Sequence, residues 1–220
     1  MRRLAQPSVV ASAAIAAALS ALLSLPRILL WENRPFTPWY ILATIFFCGF
    51  VLWAFVFAWH TEYTKRPLFT LKIKPFIFFI ATFAGIFVAL GLHWLIDPTL
   101  RARHPQEYPA DLQHWIAATL FTLFFAQMFL LFAPFAWAMR LFRNEKVATW
   151  LTVAFIALVF ALKANTYSPP LPALILTRLL FLRIASGFLA VWFYLRGGIF
   201  LAWWIGLIIE SRHLLTIYGY

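Results

Sequence analysis

Charged residues sit inside stretches of this sequence that otherwise read as membrane span. Arg178 and Arg183 interrupt LPALILTRLLFLRIASGFLAVWFYL, and Glu210 interrupts IFLAWWIGLIIESRHLL. A charge facing lipid costs about 2.5–3.5 kcal/mol on insertion scales, so such a residue faces a partner, a cavity or a site. Counted inward from Leu171 and from the end of the last apolar run, Arg178 and Glu210 both lie about seven residues deep, roughly 10 Å. Two readings follow. One is a buried ion pair that staples two adjacent helices, using the planar donor fork of guanidinium. The other is a functional polar site, joined by Lys163 and Asn165 at the end of the preceding apolar run.

The remaining chemistry-bearing residues are sparse. His60, His93 and His114 each stand beside a tryptophan near the end of an apolar run, and His213 lies in the last one. His93 and His114 could ligate haem or a chlorophyll-type pigment, although tryptophan beside histidine is also ordinary interfacial composition. No HExxH spacing is present, so a zinc protease site is not supported. Ser186-Gly187 is the one small polar pair in a late run, and small residues there permit close helix packing. No cofactor is predicted from these residues.

The elements that must position these groups are long apolar helices. Of 220 residues, 64% are hydrophobic and 11% charged, far from the roughly 25% charged residues of soluble domains. The apolar runs are continuous, which excludes the alternating pattern of a β-barrel. A span needs about 20 apolar residues. About seven stretches meet or approach this: 8–30, 38–60, 75–96, 113–139, 148–165, 171–195 and 198–217. The expected fold is therefore an all-α, polytopic transmembrane bundle of six to eight spans, forming a single integral membrane domain over 1–220. The last two spans are joined only by LRGG, which demands a tight antiparallel hairpin with glycine in the turn.

The net charge of +11 resides mostly in short loops, which points to orientation signals and anionic headgroups and away from nucleic acid. With the N-terminus inside, ten loop and terminal Lys and Arg face the cytoplasm, Arg2 and Arg3 among them, against six outside. An integral protein of the bacterial inner membrane with a cytoplasmic N-terminus is the expectation. Arg2 and Arg3 before VVASAAIAAALSALLSL also resemble a signal peptide, but apolar sequence resumes after Pro26-Arg27 and we read an uncleaved first span. The single cysteine, Cys48, allows no intrachain disulfide.

Residues 133–213 resemble the CPBP family, the CAAX-protease and bacteriocin-processing group of glutamic intramembrane proteases. The family carries EExxxR, then FxxxH, then a late helix after a glycine-marked turn with HxxxN or HxxxD. Arg140 matches the first arginine, Phe160 the phenylalanine, and TRLLFLRIASGFLAVWFYLRGGIFLAWW the approach to the third motif. The catalytic positions differ: Phe135 and Ala136 replace the two glutamates, Ala164 and Gly206 the two histidines, and Glu210 takes the Asn/Asp position. None of the first four can act as a general acid or base. The resemblance thus implies a degenerate member, a pseudoprotease with Arg178, Glu210, Lys163, Asn165 and Arg140 around a vestigial polar site. On this reading the protein is a membrane scaffold or accessory subunit whose partners are the lipid bilayer and other membrane proteins. The alternatives are an active protease with a divergent site around Glu210, and a pigment- or haem-bearing subunit using His93 or His114.

Overall fold

The computed structural model describes residues 3–219; Arg2 of the orientation reading lies outside them. The described residues form seven helices and no strands. These are α1 (Pro7–Leu29), α2 (Pro38–Thr64), α3 (Pro75–Leu95), α4 (Asp97–Arg103), α5 (Leu112–Phe142), α6 (Glu145–Asn165) and α7 (Ala173–Ile217). All except α4 are long and apolar enough to cross a membrane. The protein is therefore a polytopic helical membrane protein, as its composition demands.

Local sequence explains where the helices begin and end. Proline opens α1, α2 and α3, where its missing N–H is one of the unsatisfied helix-start donors anyway. Lys65 and Arg143 adopt left-handed geometry (φ 58° and 50°) and end α2 and α5 in polar loops. At the start of α6, Asn144 Oδ1 accepts hydrogen bonds from the backbone N–H groups of Lys146 (2.9 Å) and Val147 (3.2 Å).

The chain divides into two compact units, Met1–Leu68 with Gln113–Ala148 and Phe69–Leu112 with Thr149–Tyr220. In the first, α1 buries Ala13, Ala17, Ser20, Ala21 and Ser24. Such small residues let α1 and α2 approach closely; a Cβ added at Gly49 would stand 3.6 Å from that of Ala17. Ser20 donates to the carbonyl of Phe124 (3.1 Å) and accepts from Trp53 Nε1 (3.0 Å), tying three helices through one hydroxyl. Phe124 belongs to the first of two π-helical turns in α5, Thr122–Ala126 and Met128–Phe132.

The second unit is organised by α7. Its 45 residues are two helical arms broken at Gly198, whose φ of 63° and ψ of −158° suit glycine alone. Leu179 on the first arm and Ile209 on the second both pack against Val88, Leu92 and Ile96 of the α3 end. Phe193, Leu201 and Ile205, nearer the break, pack instead on Ala81. A straight helix would separate Leu179 from Ile209 by about 45 Å. The arms therefore fold back on each other, and the expected spans 171–195 and 198–217 form the expected hairpin. Gly85 lets the second arm approach α3, since a Cβ there would lie 3.0 Å from Ile208 Cγ2.

Candidate functional site

The second unit gathers all its acidic residues and several of its basic ones at one end, where α3 finishes, α6 meets α7, and α7 itself ends. On the second arm, Leu201, Ile205 and Arg212 follow helical spacing along one buried stripe. Arg212 thus continues an apolar face, and the group that meets it is Asp97, the first residue of α4. Arg212 Nε lies 3.0 Å from Asp97 Oδ2, with the side chains only 7% and 4% exposed. Tyr108 OH donates to Asp97 Oδ1 at 3.0 Å, so both carboxylate oxygens are engaged. Arg212 Nη1 also donates to the Ile209 carbonyl at 2.8 Å.

The loop after α3 is stitched along the second arm by two further contacts. The Tyr108 ring stands edge-on to His213, centroids 5.4 Å apart. Arg101 donates from Nη2 to Thr216 Oγ1 (2.6 Å) and lies 5.0 Å from the Tyr108 ring centroid. Residues 97, 108 and 101 therefore meet 212, 213 and 216. On the other side the same loop reaches α6 and the connection to α7. Glu107 pairs with Lys163, His104 stacks on Tyr167 at 4.4 Å, and Arg103 Nη1 donates to the Pro170 carbonyl at 3.2 Å. The whole arrangement is a polar clamp.

Glu210 sits within this clamp, 3.6 Å from His213 Nε2 and 3.9 Å from Arg212 Nη1. A carboxylate beside an imidazole can exchange a proton. The two serines nearby are committed elsewhere: Ser211 donates to the Ile208 carbonyl (2.6 Å) and Ser186 to that of Arg183 (3.1 Å).

The clamp's electrostatics are expressed in Tyr108. Burial, followed by the charge and hydrogen bond of Asp97, pushes its phenol far above the ordinary range. Burial likewise raises Tyr167. A raised phenol keeps its proton in the folded state while the unfolded chain loses it near pH 10. Stability is then fully present below about pH 10 and declines as the pH rises further. The ultraviolet titration of wild type minus that of Tyr108→Phe is expected to be flat through about pH 11, with no phenolate step near the ordinary value. A step near pH 10 contradicts the burial of Tyr108 beside Asp97.

The expected pair of Arg178 with Glu210 is corrected. Arg178 is exposed on α7, and Glu210 lies beside Arg212 and His213. Depth counted from the outer ends misleads because the arms differ in length. Counted from Gly198, Arg178 stands twenty residues back and Glu210 twelve forward, an offset of about 12 Å. Arg183, fifteen residues back, is level with His213, fifteen forward. It also falls on the inward face, four residues after buried Leu179, and its guanidinium lies 4.1 Å from the Phe160 centroid.

The other expected residues are dispersed. Lys163 joins the clamp through Glu107, whereas Asn165 is exposed at the end of α6. Arg140 belongs to the first unit, 5.8 Å from the Trp59 ring. His93 lies in the second unit edge-on to Trp94, and His114 in the first, so the two are not members of one compact unit. Among the described residues, no three His, Cys, Asp or Glu side chains gather as a metal site.

Sequence reasoning passes over Asp97, Arg101, Tyr108 and Arg212. The available signal is the loop DPTLRARHPQEYPADLQ, which is longer than a helix connection requires and carries both charge signs with a tyrosine. No protein-family model matches the chain, and neither does any curated protein or any solved structure.

Proposed function

We propose that this chain is a non-enzymatic membrane scaffold or accessory subunit, with its N-terminus in the cytoplasm of a bacterial inner membrane. The observation that carries this reading is the position of Glu210. The carboxylate that a membrane-embedded catalyst would use stands among Arg212 and His213, in a network that binds residues 97–108 to the last helix. Such a network shapes a protein more readily than it activates a substrate. The CPBP resemblance points the same way, with Phe135, Ala136, Ala164 and Gly206 at the positions of catalytic glutamates and histidines. Lateral contact would fall to aromatic faces such as that of α3, where Phe76, Phe83, Phe87 and Trp94 are all exposed.

A second reading, a divergent intramembrane protease, is favoured by one observation, the 3.6 Å approach of His213 to Glu210. A photo-crosslinker placed at Phe83 or Phe87 in native membranes separates the two readings when combined with Glu210→Gln. The scaffold reading expects one discrete protein adduct, equally formed by the Glu210→Gln variant. Cleavage of a membrane substrate that disappears on Glu210→Gln and on His213→Ala would overturn it. So would adducts with lipid alone.

A further inference from the structure

The clamp contains more positive than negative charge, and among the guanidiniums without a carboxylate partner that of Arg183 is distinguished by a buried Nε with no hydrogen-bond partner. Three guanidiniums, those of Arg101, Arg183 and Arg212, share electrostatic reach with two carboxylates, Asp97 and Glu210. Asp97 is engaged on both oxygens, and Glu210 lies against Arg212 and His213. Arg101 is directed to Thr216 and the Tyr108 ring. Arg183 has no ion pair among the described residues; it faces Phe160, and its buried Nε has no hydrogen-bond partner. A guanidinium at this depth calls for an anion.

His213 supplies a second, independent mark of a ligand. Its Nε2 faces Glu210, and its Nδ1 is buried without a hydrogen-bond partner, in a side chain only 8% exposed. With the proton held on Nε2 toward the carboxylate, Nδ1 is an acceptor. The two arms bring Arg183 and His213 level, fifteen residues on either side of Gly198. An anionic oxygen for the guanidinium fork beside an O–H donor for the imidazole is the chemistry of a phosphate bearing a hydroxyl.

We propose that Arg183, with Nδ1 of His213, forms a binding site for one hydroxyl-bearing phosphate, either a phosphoglycerol lipid headgroup or free hydrogenphosphate. Purified protein in an uncharged detergent is titrated with short-chain phosphatidylglycerol, with inorganic phosphate and with phosphatidylcholine, while native mass spectra and the unfolding midpoint are recorded. The expected result is a saturable adduct of one molecule per chain with phosphatidylglycerol or with phosphate, accompanied by a raised midpoint, and none with phosphatidylcholine. Binding to phosphatidylglycerol alone assigns the headgroup, and binding to phosphate as well admits the soluble anion. R183Q is expected to weaken binding about tenfold or more, as loss of a charge-assisted bidentate contact should, while R178Q leaves it unchanged. If R183Q does not fold, R183K, which keeps the charge without the fork, serves in its place and still binds measurably more weakly. No saturable adduct on the wild type, or undiminished affinity in a folded Arg183 variant, overturns the proposal.

Discussion

Replacing Arg212 by methionine is expected to lower the unfolding free energy by about 3–5 kcal/mol, the cost of stranding one member of a buried ion pair. The size follows from what is left behind. Asp97 keeps its place under the loop with only Tyr108 as a donor, and its carboxylate is almost fully removed from solvent. An ordinary interhelical hydrogen bond in a membrane protein averages about 0.6 kcal/mol, so the charge and not the hydrogen bond sets the magnitude. Asp97→Asn combined with Arg212→Met is expected to recover most of the loss, because no charge then remains unpaired. Reversible unfolding in a detergent or bicelle system measures all four corners of that cycle. Purely additive effects would mean that Asp97 and Arg212 do not act as a pair.

Gly198→Ala is expected to weaken the hairpin by about 1–3 kcal/mol through backbone strain alone, since a φ of 63° with ψ of −158° is open essentially only to glycine. Its neighbour is constrained for a different reason. A Cβ at Gly197 would stand 2.5 Å from Leu201 Cβ and 2.7 Å from Leu201 Cδ2, and Leu201 is fully buried against α3. Gly197→Ala must therefore push a core side chain, at a cost of about 1–3 kcal/mol for overpacking. Because the residues are adjacent and share one bend, the double variant need not show the sum. Unfolding midpoints of the two single variants check both statements. A Gly198→Ala protein as stable as wild type would refute the backbone geometry at the bend.

The fold was largely legible in the sequence for a simple reason: in a bilayer, length and hydropathy nearly determine the secondary structure. The hairpin was legible too, because LRGG is too short to do anything else and supplies glycine where a positive φ is needed. The site was legible only in part. Span boundaries locate a charge along a helix but not around it, and Arg178 and Arg183 differ by five residues and by which face they occupy. Hydropathy favours neither. Leu179, one residue after Arg178 and four before Arg183, marks the inward face, but only once its packing on α3 is known. The loop acid was less visible still. Asp97 begins a short helix that returns over the bundle end, and nothing in composition separates it from a solvent-facing loop residue. Arg212 has the same ambiguity, because a cation near the end of a last span reads equally as an interfacial anchor.

The turn of α7 at Gly198 brings Arg183, Glu210, Arg212 and His213 beneath the loop that starts at Asp97. The most direct test of that turn is the sidedness of single cysteines, introduced into a Cys48→Ser background and labelled with a membrane-impermeant thiol reagent in sealed vesicles. Cysteines at Asn165 and Tyr218 are predicted to label from the same face, and a cysteine at Arg196 from the opposite one. Labelling of Tyr218 and Arg196 from one face, with Asn165 on the other, would contradict the hairpin and the polar cluster that depends on it.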